Sequence, residues 1–193
     1  MLRAGARVDA ANSHGLTALF QAACLGHVEM IDALVSAGAA VDLGLTKTLK
    51  NGALPGLTPL MYAAMFGHPT ACARLLAAGA NVHARVPGLG MTAIHFAAMG
   101  GKGYGAAESA VPALVAHGAD VEARLSIFPM VVSVTPLMVA AYLGNAAEVE
   151  ALLACGARAG ERSGRGLLVW NLTALEVARK FDREAAVAVL EDA

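Results

Sequence analysis

The chain has 193 residues, 57% of them apolar and 15% charged, with a formal net charge of −1. That length accommodates one domain with a sizeable core, and the near-zero charge argues against broad electrostatic capture of nucleic acid or an anionic membrane. Three cysteines at positions 24, 72 and 155, with no close pair, argue against a disulfide framework and fit a reducing compartment. The start, "MLRAGARVDAANSHG", has no apolar leader segment, so the expected location is cytoplasmic.

In chain order, residues 1–12 carry "LRAGARVD", which matches only the tail of the units that follow. Residues 13–50 bring "GLTALFQAACLGH" and "ALVSAGAAVD"; residues 51–86 bring "GLTPLMYAAMFGH" and "RLLAAGANVH". "GMTAIHFAAMGGK" and "ALVAHGADVE" fall in 87–127, "SVTPLMVAAYLGN" and "ALLACGARAG" in 128–165, and "NLTALEVARKFDR" in 166–193. In three of these units the interval from the Thr to the second glycine is identical, 17 to 38, 58 to 79 and 135 to 156. Repetition at this period predicts a stack of similar small units.

Each conserved-looking feature within the units has a physical reason. The threonines at 17, 58, 92, 135 and 173 supply an N-cap hydroxyl, and Pro59 and Pro136 then occupy the first helical position, where a missing N–H costs nothing. The Ala-Ala pairs let a short helix pack closely. Gly38, Gly79, Gly118 and Gly156 end the second helix in a left-handed turn that a Cβ would penalise. Ile31, Leu34 and Val35, then Leu75 and Leu76, then Val149, Leu152 and Leu153 have the spacing of a buried stripe.

These motifs resemble the ankyrin-repeat family, whose pattern is G-x-T-P-L-H-x-A-A-x-x-G-H followed by an apolar helix ending in L-L-x-x-G-A. The resemblance covers nearly the whole chain. It implies an all-α solenoid of helix-turn-helix pairs joined by β-hairpin fingers, in one domain of residues 1–193. It also accounts for the uncharged stretches 51–73 and 125–147, which contain Thr-Pro-Leu helix starts and internal prolines and glycines rather than a membrane span.

Several features depart from the family pattern. The stretch from Gly5 to Thr17 is 12 residues, but Gly38 to Thr58 is 20, and Gly118 to Thr135 and Gly156 to Thr173 are 17 each. Alternating leucines at 43 and 45, the Asn51-Gly52 turn signal and the β-branched and aromatic residues of the later loops predict lengthened hairpins. In the third unit the interval from Thr92 to Gly118 is 26, with "GGKGYGAAES" predicted as a flexible insertion, Ser109 as a helix cap and Pro112 in the first turn. Four full units with a truncated one at each end are expected. Starting inside a unit also fits a regulatory piece of a larger polypeptide. Residues 171–193 gather eight charged side chains, as a polar C-terminal cap should.

Six histidines raise the question of a metal or catalytic site. His27 and His68 occupy the Gly-His turn and His95 the Thr-Pro-Leu-His position, where the resemblance implies bonding to loop backbone. His14, His83 and His117 have no Cys or carboxylate at ligand spacing. Cys24, Cys72 and Cys155 read as small core or groove residues, with Cys72 on a buried stripe. The chain shows no Ser-His-Asp order, phosphate loop or dinucleotide motif, so neither enzyme activity, metal nor cofactor is expected.

In ankyrin proteins, partners usually contact the finger tips and the exposed edge of the first helix of each pair. Carried over position by position, this implies a partner-binding set of Leu16, Leu25, Leu57, Met65, Phe66, Met91, Met99, Val132, Val134, Tyr142, Leu143, Trp170 and Phe181. Two readings stay open. Either the fingers fold over and bury these side chains among themselves, or an apolar, Met- and aromatic-rich concave trough receives another protein's apolar segment. Burying six to eight such side chains at about 1.5–3 kcal/mol each can outweigh the cost of association. The expected function is non-enzymatic binding of a partner protein through the concave face. Self-association as a homodimer is the alternative, and neither nucleic acid nor membrane is an expected partner.

Overall fold

The structure, a computed structural model, describes residues 7–45, 55–100, 108–125, 133–164 and 171–193. Within them the helices run in consecutive pairs: α1 (Ala18–Leu25) with α2 (Val28–Ser36), α3 (Pro59–Met65) with α4 (Pro69–Ala77), α5 (Ala93–Met99) with α6 (Val111–Ala116), α7 (Pro136–Leu143) with α8 (Ala146–Ala154), and α9 (Ala174–Lys180) with α10 (Glu184–Glu191). The first helices α1, α3, α5, α7 and α9 pack side by side in one layer, and the second helices α2, α4, α6, α8 and α10 form the other. This is the all-α repeat solenoid that the resemblance to the ankyrin-repeat family implies. The last unit has both of its helices, so it is not truncated as expected.

The threonines start the first helices as their chemistry requires. The hydroxyls of Thr17, Thr58, Thr135 and Thr173 accept from the backbone N–H three residues on. In three units, those of Thr58, Thr92 and Thr173, the residue at that third position bonds back to the Thr backbone N–H, and a different group does so in each. Met61 uses its sulfur at 3.5 Å, His95 its Nδ1 at 3.3 Å and Glu176 a carboxylate oxygen at 2.8 Å. One turn geometry thus accepts a soft, a neutral or an anionic acceptor.

Second helices end as predicted, with Gly38, Gly79, Gly118 and Gly156 at φ between +86° and +92°. No neighbour stands near these glycines, so the backbone conformation alone selects the residue.

The core lies between the two layers. The pairs Ala22–Ala23, Ala63–Ala64, Ala97–Ala98 and Ala140–Ala141 are all buried, and their small side chains allow the first helices to approach. Ile31, Leu34, Leu75, Leu76, Leu114, Val149 and Leu152 form the buried stripe of the second layer, and Cys72 lies on it as expected. Ser109 accepts the Val111 N–H at 3.2 Å, beside Pro112 in the first turn of α6. Among the described residues no helix is long and apolar enough to cross a membrane.

The finger of residues 80–91 is described throughout, and the later and earlier lengthened fingers at their bases. Backbone bonds join the two arms at each base: Leu45 N donates to Leu57 O at 2.8 Å, Val86 N to Met91 O at 2.9 Å, Leu125 N to Val134 O at 3.2 Å and Ser163 N to Leu172 O at 2.9 Å. Leu125 and Val134 form an isolated antiparallel bridge. The predicted hairpin tips, including Asn51-Gly52, and the insertion before Ser109 lie outside the described residues.

Candidate protein-interaction surface

The residues expected to meet a partner sit in two places, at the C-terminal ends of the first helices and at the finger bases. The helix ends are uneven. Leu25 is 61% exposed, and Tyr142 and Leu143 are 39% exposed each. Met65, Phe66, Met99 and Phe181 are half-buried, as are Leu16, Met91 and Val134 at the finger bases. Leu57 departs from expectation: at 5% exposure it is a core residue, held against the body where its backbone pairs with Leu45. Val132 and Trp170 lie outside the described residues.

Packing between neighbouring first helices explains the unevenness. Phe20 of α1 and Tyr62 of α3 meet with ring centroids 4.7 Å apart, and Phe66 follows at 5.7 Å from Tyr62, so the aromatics at this boundary cover one another. At the next boundary a Cβ on Gly100 would fall 2.8 Å from the Met65 carbonyl oxygen, so α5 ends directly against α3. Farther along, Tyr142 and Phe181 meet edge-on at 4.7 Å, which leaves Tyr142 and the neighbouring Leu143 each partly open to solvent.

Just past the helix ends, one polar side chain in each of three units reaches back to the preceding unit. His68 Nε2 meets Cys24 O at 3.1 Å, Asn145 Nδ2 donates to Gly100 O at 2.6 Å and Arg183 Nε donates to Tyr142 O at 2.9 Å. The His68 ring also lies over Gly26, where a Cβ would come within 2.7 Å of it. Three residue types therefore satisfy the same orphan helix-end carbonyls. For His68 this is the backbone role the motif implies. His27, in the first unit, is exposed.

The finger bases carry a second set of ties, which sequence reasoning missed. Asp9 accepts from Ala40 N at 3.0 Å, Asp42 from Asn81 N at 3.0 Å and Glu122 from Arg158 N at 2.7 Å. Each carboxylate stands four residues after a unit's glycine and takes the backbone of the next unit. Arg85, Arg124 and Arg162 stand six residues after theirs. The signal for both sets was a repeat of residue type at fixed offset, legible once the units are aligned.

The titratable groups favour structure over catalysis. Burial pushes the Cys72 thiol up to about 12 and raises those of Cys24 and Cys155, the opposite of what a nucleophile needs. His95 is fully buried and its pKa falls to about 4, chiefly because burial disfavours the imidazolium. Glu148 in α8 is buried too; its pKa is raised by desolvation, against the short bond it accepts from Ser109 Oγ at 2.6 Å. Among the described residues no group of three His, Cys, Asp or Glu is placed to hold a metal ion.

Two family models match the chain. One described as ankyrin repeat matches residues 14–44, and one described as ankyrin repeats (many copies) matches residues 60–108. The search of curated proteins returned no match.

Proposed function

Because the chain belongs to the ankyrin-repeat family, whose repeats are generally protein–protein interaction modules, we propose that it is a non-enzymatic module that receives an apolar segment of a partner protein along the first-helix ends. One observation carries this reading. Among the described residues the exposed large apolar side chains are Leu25, Met30, Tyr142 and Leu143, and three of these four stand at the helix-end positions. The half-buried Met65, Phe66, Met99 and Phe181 extend the same row between and beyond them. Methionine adapts to varied guests, and aromatic side chains anchor them. Leu16, Met91 and Val134 border the row at the finger bases, and Val132 and Trp170 belong to the proposed contact set by their place in the repeat.

The reading is tested by affinity capture with the purified chain, repeated with Tyr142→Asp and Leu143→Asp. Both positions are 39% exposed, and circular dichroism of each variant checks that the fold is kept. Each should weaken the specific co-purifying protein by roughly thirtyfold or more, as loss of an anchoring side chain does. Unchanged capture by both variants overturns the groove reading.

Met30 favours a second reading, because it is 53% exposed on α2, away from the row. An apolar side chain there suits self-association as a homodimer. A mass by light scattering that doubles with concentration, and is restored to the monomer by Met30→Asp, would establish it. A cytoplasmic location suits the three free cysteines.

A further inference from the structure

The guanidinium groups of Arg85, Arg124 and Arg162 each make bonds to two separate pieces of backbone or side chain. Arg85 Nη1 donates to Gly90 O, across its own finger, at 3.0 Å and to Arg124 O, in the next, at 3.2 Å. Arg124 repeats the arrangement: Nη1 donates to Ser133 Oγ in its own finger at 3.0 Å and to Arg162 O in the next at 3.3 Å, while Nη2 reaches Glu161 at 2.6 Å. Arg162 closes the series on its own unit, donating to Asn171 O at 2.7 Å and to Glu176 at 3.3 Å. Glu176 is the residue that bonds back to Thr173 at the start of α9, so the series is anchored to a helix. Gly164 N donates to Ser133 O at 2.9 Å, a direct backbone tie between the same two fingers.

From this geometry we propose that Arg85, Arg124 and Arg162 couple the last three finger bases into one plate, so that loosening one finger loosens its C-terminal neighbour. A planar guanidinium has five donors in a fixed fork and can hold both arms at once. A lysine has three donors on a single nitrogen at the end of a flexible stem, so it does not fix Ser133, Arg162 and Glu161 at once as Nη1 and Nη2 of Arg124 do. The links run one way, since Arg85 and Arg124 each donate forward to the following finger. The coupling does not depend on a partner being bound at the helix ends. It goes beyond the interaction reading and is measured on the protein alone.

Amide hydrogen exchange of the wild-type chain and of Arg124→Ala tests it. Loss of the charged donor should speed exchange at Leu125 in its own finger and, by roughly tenfold, at Ser163 and Gly164 in the next. Acceleration confined to Leu125, or none, overturns the coupling. Arg124→Lys keeps a charge beside Glu161 and lacks the fork, so it should behave like Ala at Ser163. Protection restored by Lys would mean simple charge pairing and would also overturn the proposal. If Arg124→Ala does not fold, Arg85→Ala decides instead. Faster exchange at both Val86 and Leu125 supports the coupling, and an effect at Val86 alone refutes it.

Discussion

The finger bases and the first-helix ends are built on opposite plans. At the finger bases the charged groups Asp9, Asp42, Glu122, Arg85 and Arg124 recur at fixed offsets and each bonds across a repeat boundary. At the helix ends the side chains are nearly all uncharged, and their exposure changes from unit to unit, from Leu25 through Met65 and Phe66 to Tyr142 and Leu143. The difference teaches where register and variety are kept. Stacking is specified by polar ties at fixed offsets, a carboxylate at three of the four finger boundaries and an arginine at the last two, so the helix ends need only fit locally and are free to vary. The contrast also explains how apolar a chain of this kind can be without losing its register, since alanine pairs set the distance between helices and carboxylates set their phase.

The largest effect should separate two leucines from the same expected contact set. Leu57→Ala should destabilise by about 2–5 kcal/mol through lost burial and a cavity, whereas Leu25→Ala should stay within about 0.5 kcal/mol; chemical denaturation midpoints measure both. Equal effects would erase the division between core and contact residues.

Next comes acidity. The imidazole of His95 is neutral in the fold, with its pKa at about 4, and an unfolded one titrates near 6.5. The unfolded chain therefore binds more protons between those values. The stability from keeping His95 neutral is complete above about pH 6.5 and is lost as pH falls toward 4, by about 3 kcal/mol. His95→Met places there the residue found at the equivalent Met61 and Met138, and should flatten that part of the pH profile while leaving stability at pH 8 nearly unchanged. A profile as steep as the wild type's would refute the assignment.

Smaller again is Asp42→Ala, which frees the Asn81 N–H and should cost about 1 kcal/mol. Loss of the exposed Arg158 pair with Glu161, by Arg158→Ala, should cost less than about 0.5 kcal/mol and vanish in high salt. If Asp42→Ala is as mild as Arg158→Ala, the finger-base carboxylates are surface decoration rather than ties.

The fold was legible because its determinants are local. A threonine cap, a proline after it and a glycine at positive φ each announce themselves within a few residues, and five copies remove ambiguity. Burial along the helix ends was not legible, because it depends on what the adjacent unit presents: Phe66 is covered by the Tyr62 stack, while Leu143, at the same place in its unit, is open. Leu57 misled for the same reason, since pairing with the opposite arm of its finger turns it inward. The polar ties at the finger bases were within reach of the sequence. They were missed because charged residues in loops read as solvated until their offsets are compared across units.

Gly100 works as a caliper. Its φ is −59°, which any residue can adopt, so what excludes a side chain is the Met65 carbonyl oxygen 2.8 Å from where a Cβ would stand. The boundary between α3 and α5 is also the middle of the array, with Leu25 on one side and Tyr142 and Leu143 on the other. A single methyl inserted there would wedge the two halves apart and swing the open apolar ends relative to each other. The absence of three hydrogens and a carbon at one position thus sets the span between the exposed apolar side chains of the first and the later units.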